Sequence, residues 1–190
     1  MASGATRTQH IGRIGQDLRS EPGRILLGCE AARVKPLDLD LPLTVTPGVV
    51  SPTRRIIEAK LGPVLEDEDA IFRVAMTAHE LLENAAKYAS DGHARLQLNV
   101  TPRGEDAIVR VSVTNNSTAE HISQLGSCYA EMNAATDAMA HYFTLMRRNA
   151  KSGGSSRLGL ARVRAEGEME IEIDVQGDVV KIVASGVVMR

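Results

Sequence analysis

The sequence predicts an α/β fold, a two-layer α/β sandwich in which helices cover one face of a mixed, mostly antiparallel sheet. Five short segments alternate apolar and polar residues at the period of a half-buried strand, and three longer ones repeat apolar residues at the period of a helix. The strand segments come as one isolated strand and two pairs separated by turn residues. A chain of 190 residues, 43% of them hydrophobic, is long enough to bury one two-layer core.

In chain order, Leu37 to Val45 alternates with Asp38, Asp40, Pro42 and Thr44, which predicts an edge strand ending at Pro47-Gly48. Ser51-Pro52 then reads as a cap and first-turn proline, opening a helix that carries Ile56, Ile57 and Leu61 and stops at Gly62-Pro63. The second helix, Asp67 to Ala89, has the clearest stripe: Ile71, Val74, Ala75, Ala78, Leu82 and Ala85. Its acidic start and Lys87 near its end both suit the helix dipole. Two paired strands follow, on Leu96, Leu98 and Val100 and on Val109, Val111 and Val113, with Arg103-Gly104 between them. From Ile122 to Met146 the apolar spacing predicts one long helix. A glycine-rich polar segment then leads into a short helix from Leu158 to Arg164, and a hairpin with Gly177 in its turn closes the chain.

Composition restricts function. Lys and Arg number 22 against 24 Asp and Glu, a formal charge of -2, so no general attraction to nucleic acid or anionic lipid is expected. Aromatic residues at 3% are too few to stack exposed bases. No segment resembles a secretion signal or reaches membrane-spanning length, and Cys29 and Cys128 stand far apart in no ligand or redox spacing. The expectation is a reduced, cytoplasmic protein. His121 and His141 have no neighbouring ligand pattern, so packed or solvated imidazoles are expected and no zinc site is.

On the second helix Glu80, Asn84 and Lys87 follow each other at four and three residues and share a face away from the apolar stripe. A carboxylate there can hold or deprotonate water or a hydroxyl, an Asn oxygen can ligate magnesium, and an ammonium can neutralise phosphate. The same residue types also populate any solvated helix face.

The segment from His79 to Tyr88, which contains these three residues, resembles the N-box helix of the histidine-kinase-like ATPase superfamily, whose members include stand-alone anti-sigma serine kinases. The order of elements from about Pro36 to Val183 is also similar to that family's, which implies its fold for residues 36–190 and leaves residues 1–35 as an N-terminal arm without a role. The resemblance implies Glu80 as the catalytic, polarising or general-base residue, Asn84 as the magnesium ligand and Lys87 beside phosphate. Asn115 stands where the family's adenine-binding Asp is usual, with Ser117 and Ala119 at positions usually held by glycine. Leu158, Gly159 and Leu160 match the second glycine motif, while Arg157 replaces its preceding glycine and either blocks the phosphate channel or sets a guanidinium beside it. His79 is not expected to accept phosphate, because the family's sensor kinases carry that histidine on a separate dimerising helical domain and the region before Leu37 is too short and too weakly periodic to form one.

The cofactors implied are ATP or ADP with magnesium, bound weakly because the usual carboxylate is an amide here and side chains occupy two glycine positions. The function implied is a bacterial signalling regulator acting by protein binding. An active serine or protein kinase of the anti-sigma type, or an ATPase, is the alternative. The partners implied are a sigma factor or an anti-sigma-antagonist-like protein, with a homodimer as a further arrangement.

Overall fold

The computed structural model describes residues 35–152 and 158–188, with the side chains of residues 151 and 152 excepted. The expected N-terminal arm therefore lies outside the described residues but for its last position. Strand β1 (Leu37–Thr44) leads into helices α1 (Pro47–Leu61) and α2 (Glu68–Tyr88). Strands β2 (Ala89–Arg103) and β3 (Asp106–Ser117) form a hairpin. Helices α3 (Ala119–Ala134), α4 (Ala138–Ser152) and α5 (Leu158–Ala165) follow, and strands β4 (Glu170–Gln176) and β5 (Val179–Val188) come last.

The five strands make one sheet in the order β1-β2-β3-β5-β4, and each of its pairings is antiparallel. Register aligns the apolar faces: Leu39, Leu98, Val111, Ala184 and Ile171 form one row across all five strands. Because side chains alternate across a strand, this row and its neighbours lie under the helices. The opposite face carries Asp38, Asp40, Arg95, Asn99 and Glu172, tied by Asn99 to Asp38 and by Arg95 to Asp40. The structure is thus the two-layer sandwich expected, with an apolar inner and a polar outer sheet face.

Helix α2 lies at the centre of the helical layer. Asp67 caps it by accepting the Asp69 N–H at 2.9 Å, and Glu68 and Asp69 sit in its first turn with Lys87 in its last. Val74, Ala75, Ala78, Leu82 and Ala85 are fully buried, as their spacing predicts. Burial extends beyond that stripe to Ala70, Met76 and Leu81, because α2 meets α1 and α5 as well as β2 and β3. Helix α5 approaches α2 closely at its C-terminal end. A Cβ on Gly167 would stand 2.4 Å from the Val163 carbonyl oxygen and 2.9 Å from Thr77 Oγ1, so this contact requires glycine.

Two expectations are corrected. Helix α1 starts at Pro47 rather than Ser51-Pro52, with Thr46 at the N-cap position and Pro52 inside the helix. Pro47 is well suited to a first helical position because its missing N–H would have no partner there. Pro52 forgoes one bond, and Thr53 beside it returns its hydroxyl to the Val49 carbonyl at 2.8 Å. The long helix expected from Ile122 to Met146 is two helices. Asp137 accepts the Ala140 N–H at 2.9 Å and so caps α4, and α3 ends at Ala134 although the apolar pattern continues.

Candidate functional site

The end of the sheet where β3 finishes and β5 starts meets the C-terminal half of α2 and the first turns of α3. Local chemistry brings these pieces together. Ser117 donates its hydroxyl to the Tyr88 carbonyl at 3.1 Å, joining the end of β3 to the end of α2. Thr118 accepts the His121 N–H at 3.3 Å and caps α3, which then crosses back over the sheet. Tyr129 donates to the Ile171 carbonyl at 3.0 Å, and Arg164 donates to the Met132 carbonyl, so α3 is held at both β4 and α5.

Between them lies a cavity of about 110 Å³, lined by Asn84 and Tyr88 from α2, Asn115 and Ser117 from β3, His121, Gln124 and Cys128 from α3, and apolar side chains from α5 and β5. Among the described residues its lining holds no Lys, Arg, Asp or Glu. Its size is near that of a cavity of roughly 150 Å³ that takes one benzene. The Tyr88 and His121 rings meet edge to face at its wall, with centroids 5.0 Å apart.

Of the residues singled out in the sequence, Asn84 and Asn115 therefore line one cavity, although they belong to different layers. Asn84 Nδ2 is buried without a hydrogen-bond partner. Asn115 Nδ2 donates to the Asn116 carbonyl at 2.9 Å, which leaves Oδ1 available as an acceptor. Gly159 joins them from α5: a Cβ there would stand 3.6 Å from Asn84 Nδ2 and 2.9 Å from Glu80 Oε2. Leu160 lines the cavity, whereas Leu158 packs the other way, against the cluster of Tyr142, Leu145, Ala161 and Ala165. Lys87 is exposed, with Nζ 5.2 Å from the centre of the Tyr88 ring, and is outside the cavity lining. Arg157 and the polar segment before it lie outside the described residues.

Glu80 is 9% exposed and is not solitary. Arg162, from α5, donates Nη1 to Glu80 Oε1 at 2.9 Å and Nε to Glu166 Oε2 at 2.7 Å. The bond to Glu166, ahead of that to Glu80, holds the guanidinium above its ordinary value against the opposing effect of burial. Burial, reinforced by the Glu166 carboxylate, raises the Tyr142 phenol above its usual range.

The residues present fit a magnesium nucleotide. Asn84, whose buried and unpartnered Nδ2 could donate to a phosphate oxygen and whose Oδ1 is the atom able to ligate a metal, and the acceptor on Asn115 are features such a ligand would use. Among the described residues no group of three or more His, Cys, Asp or Glu could hold a metal. A magnesium ion would then rest on Asn84, phosphate oxygens and water, a coordination common for that ion.

Sequence reasoning missed Arg162, Tyr88 and Gln124, and assigned His121 only to packing or solvent. Arg162 has a sequence signal, since it lies three residues after Gly159, but its partner Glu80 is 82 positions away. No helix among the described residues is long and apolar enough to cross a membrane.

Neither a protein family model nor a curated protein matches the sequence. Among solved structures, a chain in the crystal structure of the SiaB-SiaC complex from Pseudomonas aeruginosa is similar, with a TM-score of 0.56 and 17% identity over 79% of this chain and 89% of that one. At that identity the likeness is one of fold: the chain shares the α/β architecture of a protein crystallised as part of a two-protein complex.

Proposed function

We propose that this chain is a signalling regulator of the histidine-kinase-like ATPase type that binds an adenine nucleotide with magnesium and passes phosphate to a partner protein, as an anti-sigma serine kinase would. The observation that carries this reading is the meeting of Asn84, Asn115 and Leu160, from three separate elements, at one cavity, with Gly159 packed against Asn84 and Glu80 behind it. The fold relative supports a partner-dependent role, since its structure is of a complex, SiaB with SiaC. A sigma factor or an anti-sigma-antagonist-like protein is the class of partner proposed.

In this reading the nucleotide supplies the phosphoryl group, and the chain's own residues position and exclude. Asn84 would hold the metal through its amide oxygen. Asn115 and the Tyr88 and His121 rings seat the base in a neutral cavity. Gly159 lets α5 pack directly on Glu80 and Asn84, where a Cβ would stand 2.9 Å from Glu80 Oε2. Glu80 Oε1 is engaged by Arg162, so Oε2 is the oxygen left to take a proton from the partner's hydroxyl.

A second reading, a regulator that acts by binding with little turnover, is favoured by two observations. Asn115 brings no negative charge to the base, and Arg162 already neutralises Glu80. One experiment separates the readings. The purified chain, magnesium and γ-labelled ATP are added to native extract depleted of this protein. Label on a Ser or Thr of one recovered protein, lost with Glu80→Gln, supports phosphate transfer. Tight partner binding without label supports the binding reading, and failure to bind either ATP or a partner defeats both.

A further inference from the structure

We infer that the cavity accepts guanine as readily as adenine, and that Asn115 is the residue that sets this lack of discrimination. The inference rests on the nucleotide reading above and concerns which base that site takes. Its ground is the neutrality of the lining. Among the described residues the polar side chains on the cavity wall, from Asn84, Tyr88, Asn115, Ser117, His121, Gln124 and Cys128, are amides, hydroxyls, an imidazole and a thiol, and no carboxylate is among them.

A carboxylate on β3 would present acceptors alone. Adenine bears an amino group at position 6 and guanine an oxygen, so a purine seated with that position against a carboxylate is retained as adenine and repelled as guanine. An amide carries both functions. Asn115 spends one N–H on the Asn116 carbonyl at 2.9 Å, and that bond fixes the orientation of the group. Its Oδ1 and its second N–H remain for a ligand from this one orientation, so no rotation is needed to meet either base. Position 6 finds an acceptor if it is amino and a donor if it is oxo.

The rest of the wall does not restore selectivity. Tyr88 and His121 contribute ring surface, which every base can use. Gln124, on α3, also carries both functions, with one N–H given to Glu120 Oε1 at 3.2 Å. Asp91, a carboxylate engaged with this stretch of β3, accepts Asn116 Nδ2 at 2.8 Å through Oδ2 and is not in the cavity lining.

The test is calorimetric titration of the full chain with ATP and with GTP, each with magnesium, for the wild type, Asn115→Asp and Asn115→Ala. The wild type is expected to bind the two nucleotides with dissociation constants within about tenfold of each other. Asn115→Asp should tighten ATP and weaken GTP, widening their ratio by about a hundredfold, the scale on which a mismatched polar partner acts. Asn115→Ala should weaken both alike. A wild type preferring ATP by more than about a hundredfold, or an Asp variant with an unchanged ratio, overturns the inference while leaving the nucleotide reading intact. Binding of neither nucleotide overturns both. Circular dichroism establishes that each variant is folded, and should the Asp variant not fold, the wild-type ratio and the Ala variant decide.

Discussion

Glu80 carries a charge into a place where only 9% of its surface meets water, and a carboxylate there needs a partner. Arg162 is that partner, and it is shared with Glu166. Removing one side of such a pair leaves the other desolvated, which costs more than the pair itself contributes. We therefore expect Arg162→Met to lower stability by about 1.5–3 kcal/mol, and Glu80→Gln added to it to recover part of that loss, in a double-mutant cycle measured by urea denaturation. Additive effects would show that the two side chains are not coupled. Tyr142 belongs to the same neighbourhood. Its phenol is raised above the ordinary value of 10.0 by burial and then by Glu166, so the folded state favours the protonated form. The resulting stability is fully present below the unfolded-state value and is lost as pH rises through the higher folded one. Wild-type stability should accordingly fall above about pH 10 more steeply than that of Tyr142→Phe, in denaturation curves taken across that window. The pairing itself was not legible in the sequence. Arg162 pairs with a residue 82 positions away, and only the approach of α5 to α2, allowed by Gly159 and Gly167, brings them together. Asn84 was legible because its spacing from Glu80 lies within one helix and needs no tertiary information.

At the scale of elements, periodicity located the helices and local capping chemistry set their ends. Helix α2 shows the two in agreement, since Asp67 stands where the apolar stripe begins and its carboxylate accepts the Asp69 N–H. Between α3 and α4 they disagree. Met132 and Leu145 are both buried, so the apolar pattern runs on across a break that Asp137 makes. The break matters to the site, because α3 forms a wall of the cavity and α4 packs Tyr142 and Leu145 on the far side of α5. A helix continued through Asp137 would not leave α3 free to lie over the sheet while α4 lies on α5. Asp137→Ala should therefore cost about 1 kcal/mol, the usual loss of an N-cap, with protection from hydrogen exchange falling first at the N–H groups of the opening turn of α4. Uniform loss of protection along α4 would place the role of Asp137 elsewhere. The start of α1 was misread for a related reason. Pro47 and Pro52 each satisfy the rule for a first-turn proline, and choosing between them requires knowing that β1 ends at Thr44.

Across the whole molecule, the fold was legible because three independent signals agree: strand alternation, helical stripes and the order in which they occur. Register follows from the first of these, since the row from Leu39 to Ile171 is the set of positions that alternation turns inward. What the chain could not display is the enclosure of the cavity, which draws on α2, α3, α5, β3 and β5. That distribution has a thermodynamic consequence. A ligand held by side chains from both layers binds the folded state and finds no site in the unfolded chain, so its binding energy appears in full as stability of the domain. At a magnesium nucleotide concentration of about one hundred times its dissociation constant, the gain is about 2.7 kcal/mol. For a domain of this size that corresponds to a rise in Tm of roughly 5–11 °C, read by scanning calorimetry. The shift should require magnesium in the wild type. Asn84→Ala removes the amide oxygen proposed to hold the ion, so in that variant the shift at equal nucleotide should become smaller and independent of magnesium. A variant that keeps the full magnesium-dependent shift would remove Asn84 from the metal site, and a wild type that shows no shift with either purine nucleotide would remove the nucleotide from the cavity altogether.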